Sequence, residues 1–301
     1  AVDASVSATI IRAVTGWYVK GLDASKAKPS NYRSLLNVFG LLLIPAFGVR
    51  ADKTTVAGIA AEWLTPKKTT PGKVLLYLHG GGFVMGSTDS HRQFVGHVAR
   101  AGQIKALVPE YRLAPDHKFP AGLDDCVAVY RALLTDGVNS GDIILAGDSA
   151  GGGLTAATLI ALRDAGDPLP AAALLFSPLL DATLSGESMH TRKEADPWFT
   201  RENIGVVIGH YCEPGEETHP LVSPVFADMQ GLPPLFIQVG DREILLSDSE
   251  RFADRQRDAG GEVEIEVWPG MWHVFQFCVN KMPESRRAIK KIGEVIQRYT
   301  A

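Results

Sequence analysis

From about residue 49 to the end of the chain, short runs of β-branched and aliphatic residues alternate with longer stretches whose apolar positions recur every three or four residues. Residues 56–64 read as early strands, and further strands are predicted at 74–79, 104–111, 143–147, 171–176, 235–240 and 263–268. Between them, Leu123, Val127, Tyr130 and Leu134 share one helical face after Pro120, and Ala288, Ile289, Ile292, Val295, Ile296 and Tyr299 form a closing amphipathic stripe. Ser247, three residues before Glu250, has the form of a capping box and predicts a helix over 248–259 that ends at Gly260 and Gly261. Strands and helices in this alternation are the pattern of βαβ units, so the expected class is α/β.

Two stretches stand outside the alternation, residues 1–48 and 181–232, and the second is too long for an ordinary connection. Both are expected to act as covers on one catalytic domain spanning 49–301, with residues 204–212 of the second forming a helix packed over the rest. A chain of 301 residues can bury one large core without dividing. Its 46% hydrophobic and 21% charged residues are the balance of an ordinary globular protein.

Charge and cysteine usage narrow the field further. The 30 basic and 34 acidic residues leave a net charge of −4, with lysines and arginines scattered rather than clustered, so nucleic acid is not an expected partner. The apolar run at 41–49 is too short to span a bilayer and is broken by Pro45 and Gly48. The first residues lack an export pattern, so no stable membrane anchor is expected. Cys126, Cys212 and Cys278 are odd in number and widely spaced, which fits reduced thiols in the cytoplasm better than a disulfide framework or a metal site.

The strongest chemical signal is Gly147-Asp148-Ser149-Ala150-Gly151, placed directly after a strand and directly before a helical pattern through Leu154, Thr158 and Leu162. That context matches a nucleophile elbow, in which glycines permit a strand to turn sharply into a helix and leave the serine oxygen projecting. Gly151, Gly153 and Ala156 also fit a dinucleotide-binding fingerprint, but several strands precede them and position 169 is Leu where an acidic residue would be needed. A second signal is His79-Gly80-Gly81-Gly82-Phe83 at the end of an apolar strand. Bare backbone amides there can stabilise the oxyanion of a tetrahedral intermediate, with Gly81, Gly82 and Ala150 as the expected donors and His79 as a structural residue. No Gly-Lys-Ser/Thr follows, which disfavours a phosphate loop.

A serine hydroxyl needs a base and an orienting acid, which in this fold follow it in the order acid, then histidine. Of the eight histidines only His273 comes late enough, in a loop between the last strand and the last helix. Asp241, immediately after the strand at 235–240, is the favoured acid. Glu243 lies two residues further from the strand end, and Asp248 is better explained as a first-turn acid facing its own helix dipole.

These motifs, with Tyr111-Arg112-Leu113-Ala114-Pro115 and Phe119-Pro120-Ala121, resemble those of the hormone-sensitive-lipase-like bacterial esterases, often called family IV, over most of residues 50–300. That family's acid usually stands in an Asp-Pro-Leu context, and Asp241-Arg242-Glu243 departs from it. The resemblance implies an α/β-hydrolase fold with an eight-stranded, mostly parallel sheet, and a helical cap built from the N-terminal segment and the 181–232 insertion. It also implies that Phe83 and Trp198 line the substrate pocket. The expected activity is hydrolysis of short- to medium-chain carboxyl esters through an acyl-enzyme, with no metal or organic cofactor. A lactonase, deacetylase or amidase could use the same groups, as could a ligand receptor on the same scaffold, although receptors typically lack the histidine that is present here. The expected partner is a small-molecule ester, and the strand at 263–268 offers an edge for a homodimer.

Overall fold

The computed structural model describes residues 4–11 and 45–301. The predicted cover at residues 1–48 therefore lies mostly outside the described residues. Eight strands, β1 (Val49–Val56), β2 (Ile59–Pro66), β3 (Val74–Leu78), β4 (Lys105–Pro109), β5 (Ile143–Asp148), β6 (Ala172–Phe176), β7 (Leu235–Gly240) and β8 (Val263–Trp268), form one sheet in the order β1-β2-β4-β3-β5-β6-β7-β8. β2 pairs antiparallel with both β1 and β4, and every other pairing in the sheet is parallel. The early strands predicted at 56–64 fall on the turn and second strand of a β1–β2 hairpin over residues 49–66, where Ala57 and Gly58 both take positive φ and turn the chain.

Helices α1 (Thr88–Gly102), α2 (Ala121–Thr135), α3 (Ala150–Ala165), α4 (Ser188–Thr191), α5 (Arg201–Tyr211), α6 (Leu246–Asp258) and α7 (Pro283–Tyr299) lie between and after these strands. The central strands are buried on both faces, as a parallel sheet between helical layers requires. Successive residues divide between the two layers. Leu76, Leu78, Leu145 and Leu175 pack with Leu133 of α2, Leu159 of α3 and Phe252 of α6. Leu75, Tyr77, Ile144 and Leu174 pack with Phe94 and Val98 of α1 and Ile292 and Ile296 of α7.

Helix α6 departs from expectation. It begins at Leu246 without a side-chain cap, and Ser247 instead accepts a hydrogen bond from the Ser188 amide of the insertion at 2.8 Å. The predicted capping box is not formed. Asp248 does stand in the first turn of α6, as expected, but it is fully buried, and its Oδ2 accepts from the Leu180 and Asp181 amides at 2.9 and 3.1 Å. Burial, first among several influences, raises its pKa to about 8.

Candidate active site

The turn between β5 and α3 is governed by sterics. A Cβ added to Gly151 would lie 2.1 Å from the Leu78 carbonyl oxygen and 2.5 Å from that of His79, so no side chain fits where the elbow crosses the end of β3. Ser149, between them, is held at φ 54° and ψ −124°, a conformation that a non-glycine residue keeps only when its surroundings enforce it. Its amide donates to the Phe176 carbonyl at 2.9 Å and its carbonyl accepts from the Leu179 amide at 3.0 Å, tying the elbow to the end of β6.

The His79–Phe83 segment leaves the adjacent strand β3 alongside the elbow. Gly81 at φ 120° and Gly82 at φ 61° make a conformation unsuited to side chains, and a Cβ at Gly81 would meet the Met85 carbonyl oxygen at 2.4 Å. Among the described residues neither the Gly81 nor the Gly82 N–H meets an acceptor. Ala150 opens α3, where the first amides have no partner within the helix.

The acid beside His273 is Glu243, and this corrects the expectation of Asp241. Glu243 is fully buried, with Oε2 2.9 Å from His273 Nδ1 and Oε1 accepting from the Gly240 amide at 2.6 Å and the Ser177 hydroxyl at 2.8 Å. Asp241 turns the other way: its side chain is 39% exposed and accepts from the Gly270 amide at 2.7 Å, fastening the turn that follows β8. Its own amide still bonds Trp268 O as if continuing β7, so its side chain is committed to the neighbouring turn. The chain must bend back by two more residues before a carboxylate meets the imidazole.

Ser177 joins the parts. Its hydroxyl donates to Glu243 and accepts from the Val274 amide at 3.0 Å, immediately after His273. Ser177 and Val274 both have φ 47°, a strained value for any side chain and more so for a β-branched one. Together with Ser149, and with Phe83 at φ 62°, they place four of the seven positive-φ non-glycine residues among those described at this one edge of the sheet.

The pocket candidates separate. Phe83 is buried and stacked on Tyr211 of α5 with centroids 3.7 Å apart, between the oxyanion loop and the insertion. Trp198 packs against the cluster of Met271, Trp272 and Phe275 beneath the His273 loop, where Ala4 and Ile11 of the N-terminal stretch also pack. Its neighbour Phe199, which the sequence reading did not single out, stands edge-on to the His273 ring with centroids 4.8 Å apart. Among the described residues no cluster of side chains could hold a metal ion, and no helix is long and apolar enough to cross a membrane.

Comparison with known proteins agrees with this architecture. The family model described as alpha/beta hydrolase fold matches residues 75–277. An acetyl-hydrolase of Streptomyces hygroscopicus is 40% identical over 269 residues, covering 89% of this chain and 88% of its own. An esterase of Acinetobacter venetianus is 35% identical over 243 residues, 79% of each chain. The crystal structure of an esterase from the bacterial hormone-sensitive lipase family superposes with a TM-score of 0.94 at 37% identity, covering 99% of both chains. The chain belongs to the hormone-sensitive-lipase family of carboxylesterases.

In this carboxylesterase a second buried network, illegible in the sequence, supports the oxyanion segment from below. Asp148 Oδ1 accepts from the Tyr77 hydroxyl at 2.7 Å and from the Gly80 amide at 3.0 Å, with His91 Nε2 3.4 Å away. Burial alone would raise the Asp148 carboxyl, but His91 and the hydrogen bonds from Tyr77 and Gly80 hold it below the usual aspartate range. His79, expected to be structural, is buried with its ring stacked on Tyr111 and its Nδ1 2.9 Å from the Gly80 carbonyl oxygen. Burial and then the neighbouring His91 depress its pKa to about 4, so at neutral pH it is an uncharged ring whose Nδ1–H donates to that carbonyl. The esterase thus holds residue Gly80 by both its N–H and its C=O.

Proposed function

We propose that this carboxylesterase works by two-step acyl transfer with Ser149 as nucleophile, His273 as general base and Glu243, in place of Asp241, as the acid that orients it. The observation that carries the reading is the 2.9 Å contact between His273 Nδ1 and a buried carboxylate, at the sheet edge that also bears the Ser149 elbow. With Nδ1–H held by Glu243, Nε2 is the nitrogen left to accept the Ser149 proton as the hydroxyl attacks the ester carbonyl. The N–H groups of Gly81, Gly82 and Ala150 receive the negative charge on the carbonyl oxygen. Each such donor is worth about 10²–10³-fold in turnover. His273 then returns the proton to the departing alcohol, and water repeats the sequence on the acyl-enzyme to release the acid.

Short to medium acyl chains fit this site. Helix α5 lies directly on the oxyanion segment: a Cβ at Gly82 would meet Val207 Cγ1 at 2.6 Å, and Tyr211 covers Phe83, so the insertion leaves little room there. The relative named acetyl-hydrolase agrees with a small acyl group. The test is a series of p-nitrophenyl esters from acetate to palmitate with wild type and Ser149→Ala. Wild type is expected to show a burst and a short-chain optimum, and Ser149→Ala to lose kcat on the order of 10⁶-fold while remaining folded. Wild-type turnover in Ser149→Ala contradicts the nucleophile, and a palmitate optimum contradicts the pocket.

A further inference from the structure

Asp196 is a fully buried carboxylate to which the proposed reaction assigns no part. Its Oδ1 accepts from the amides of Trp198 and Phe199 at 2.7 and 3.1 Å, the usual local turn of an aspartate. A local turn does not explain its other oxygen. Oδ2 accepts from the Ile244 amide at 2.9 Å, which is 48 residues further along the chain and next to Glu243. The turn it closes also fixes Phe199, whose ring stands edge-on to His273. One side chain of the insertion therefore meets both halves of the acid–base pair, through the backbone beside one and the ring against the other.

We propose that Asp196 is a positioning residue for ester hydrolysis, coupling the insertion to the Glu243–His273 pair and supplying a second negative charge in the surroundings of the imidazole. The inference rests on the assignment of His273 as base. A neutral side chain could cap the same turn, whereas a buried charge is costly unless something compensates it. Burial pushes the Asp196 carboxyl up, against which the Ile244 amide, His273 and the two local amides act. The titratable group acting on it across the interface is His273, whose Nδ1 in turn meets Glu243. An imidazolium forming at His273 during acyl transfer strengthens this attraction, so the charge favours the transition state over the resting enzyme.

Asp196→Asn tests the proposal, because an amide can still receive the two local N–H groups but presents its NH₂ to the Ile244 amide, losing both the link and the charge. With p-nitrophenyl acetate, and rates normalised to active sites titrated by a covalent serine reagent, kcat is expected to fall about tenfold or more with KM little changed. The acid limb of the kcat/KM profile is expected to move down by about half a pH unit or more. An unchanged kcat and acid limb per titrated site overturns the proposal, even if the variant is less stable. Should Asp196→Asn not fold, Phe199→Ala carries the test: it removes the ring that the Asp196 turn sets against the imidazole, so a lowered kcat with KM little changed is expected, and an unchanged kcat per titrated site overturns the coupling. Full turnover in Ser149→Ala or His273→Ala would instead defeat the underlying mechanism, whatever Asp196→Asn does.

Discussion

The two halves of the candidate site are built by different physics. The nucleophile half, where β5 turns into α3 beneath the end of β3, is set by excluded volume: backbone crosses backbone so closely at Gly151 that no side chain is tolerated. The acid–base half, after β7 and β8, is set by hydrogen bonds from residues distant in sequence, with Ser177 bridging Glu243 and the Val274 amide and Asp196 reaching Ile244. Steric necessity leaves a mark in the local sequence, whereas a hydrogen-bond network assembled from remote segments does not. The first half should therefore fail abruptly when altered, and the second by degrees.

The largest expected effect lies in the elbow. Gly151→Ala puts a methyl group against two main-chain carbonyls and should cost on the order of 3 kcal/mol or more, read as a lowered midpoint in thermal or urea unfolding. An unfolding midpoint equal to wild type would show that sterics do not define this half. Next comes Ser177→Ala, which removes one hydrogen bond to the acid and strands the Val274 amide. Loss of a bond to a charged group, about 1.5–3 kcal/mol, corresponds to a roughly 10–100-fold fall in kcat on a short ester, with the nucleophile still titratable. Unchanged kcat would break the idea that hydrogen bonds hold the second half.

A third effect is a pH dependence of stability. Asp248, on the helix that follows Glu243, has its pKa raised to about 8 by burial, while in the unfolded chain it returns to the ordinary aspartate value of about 4. The folded state therefore holds a proton that the unfolded state releases. The resulting stability is fully present below about pH 4 and is lost progressively as pH rises towards 8. Asp248→Asn, which mimics the protonated form, should flatten that part of the stability curve measured by chemical denaturation from pH 5 to 9. An unaltered slope would show that Asp248 ionises freely in the folded protein.

The same contrast explains what the sequence revealed. The central strands were legible because burial on both faces demands continuous apolar runs, and the elbow and oxyanion segments because close approach demands glycine. His273 was legible by its position as the last histidine. The acid was not, since Asp241 does follow the strand directly, and only the fold shows that its side chain is spent on the Gly270 amide while the chain curls back to present Glu243. The Tyr77, His91 and Asp148 network beneath Gly80 joins residues up to 71 positions apart, so no local pattern announces it. Ser247 shows the converse, a genuine local signal overridden when the Ser188 amide offered a tertiary partner.

The central claim is that the imidazole is oriented by Glu243 and not by its more conspicuous neighbour. Comparing kcat for Glu243→Gln and Asp241→Asn on p-nitrophenyl acetate, per titrated active site, tests it most directly. The account predicts a loss of roughly 10⁴-fold in Glu243→Gln and a change within about twofold in Asp241→Asn. Near-normal turnover in the glutamine variant together with collapse in the asparagine variant would contradict it.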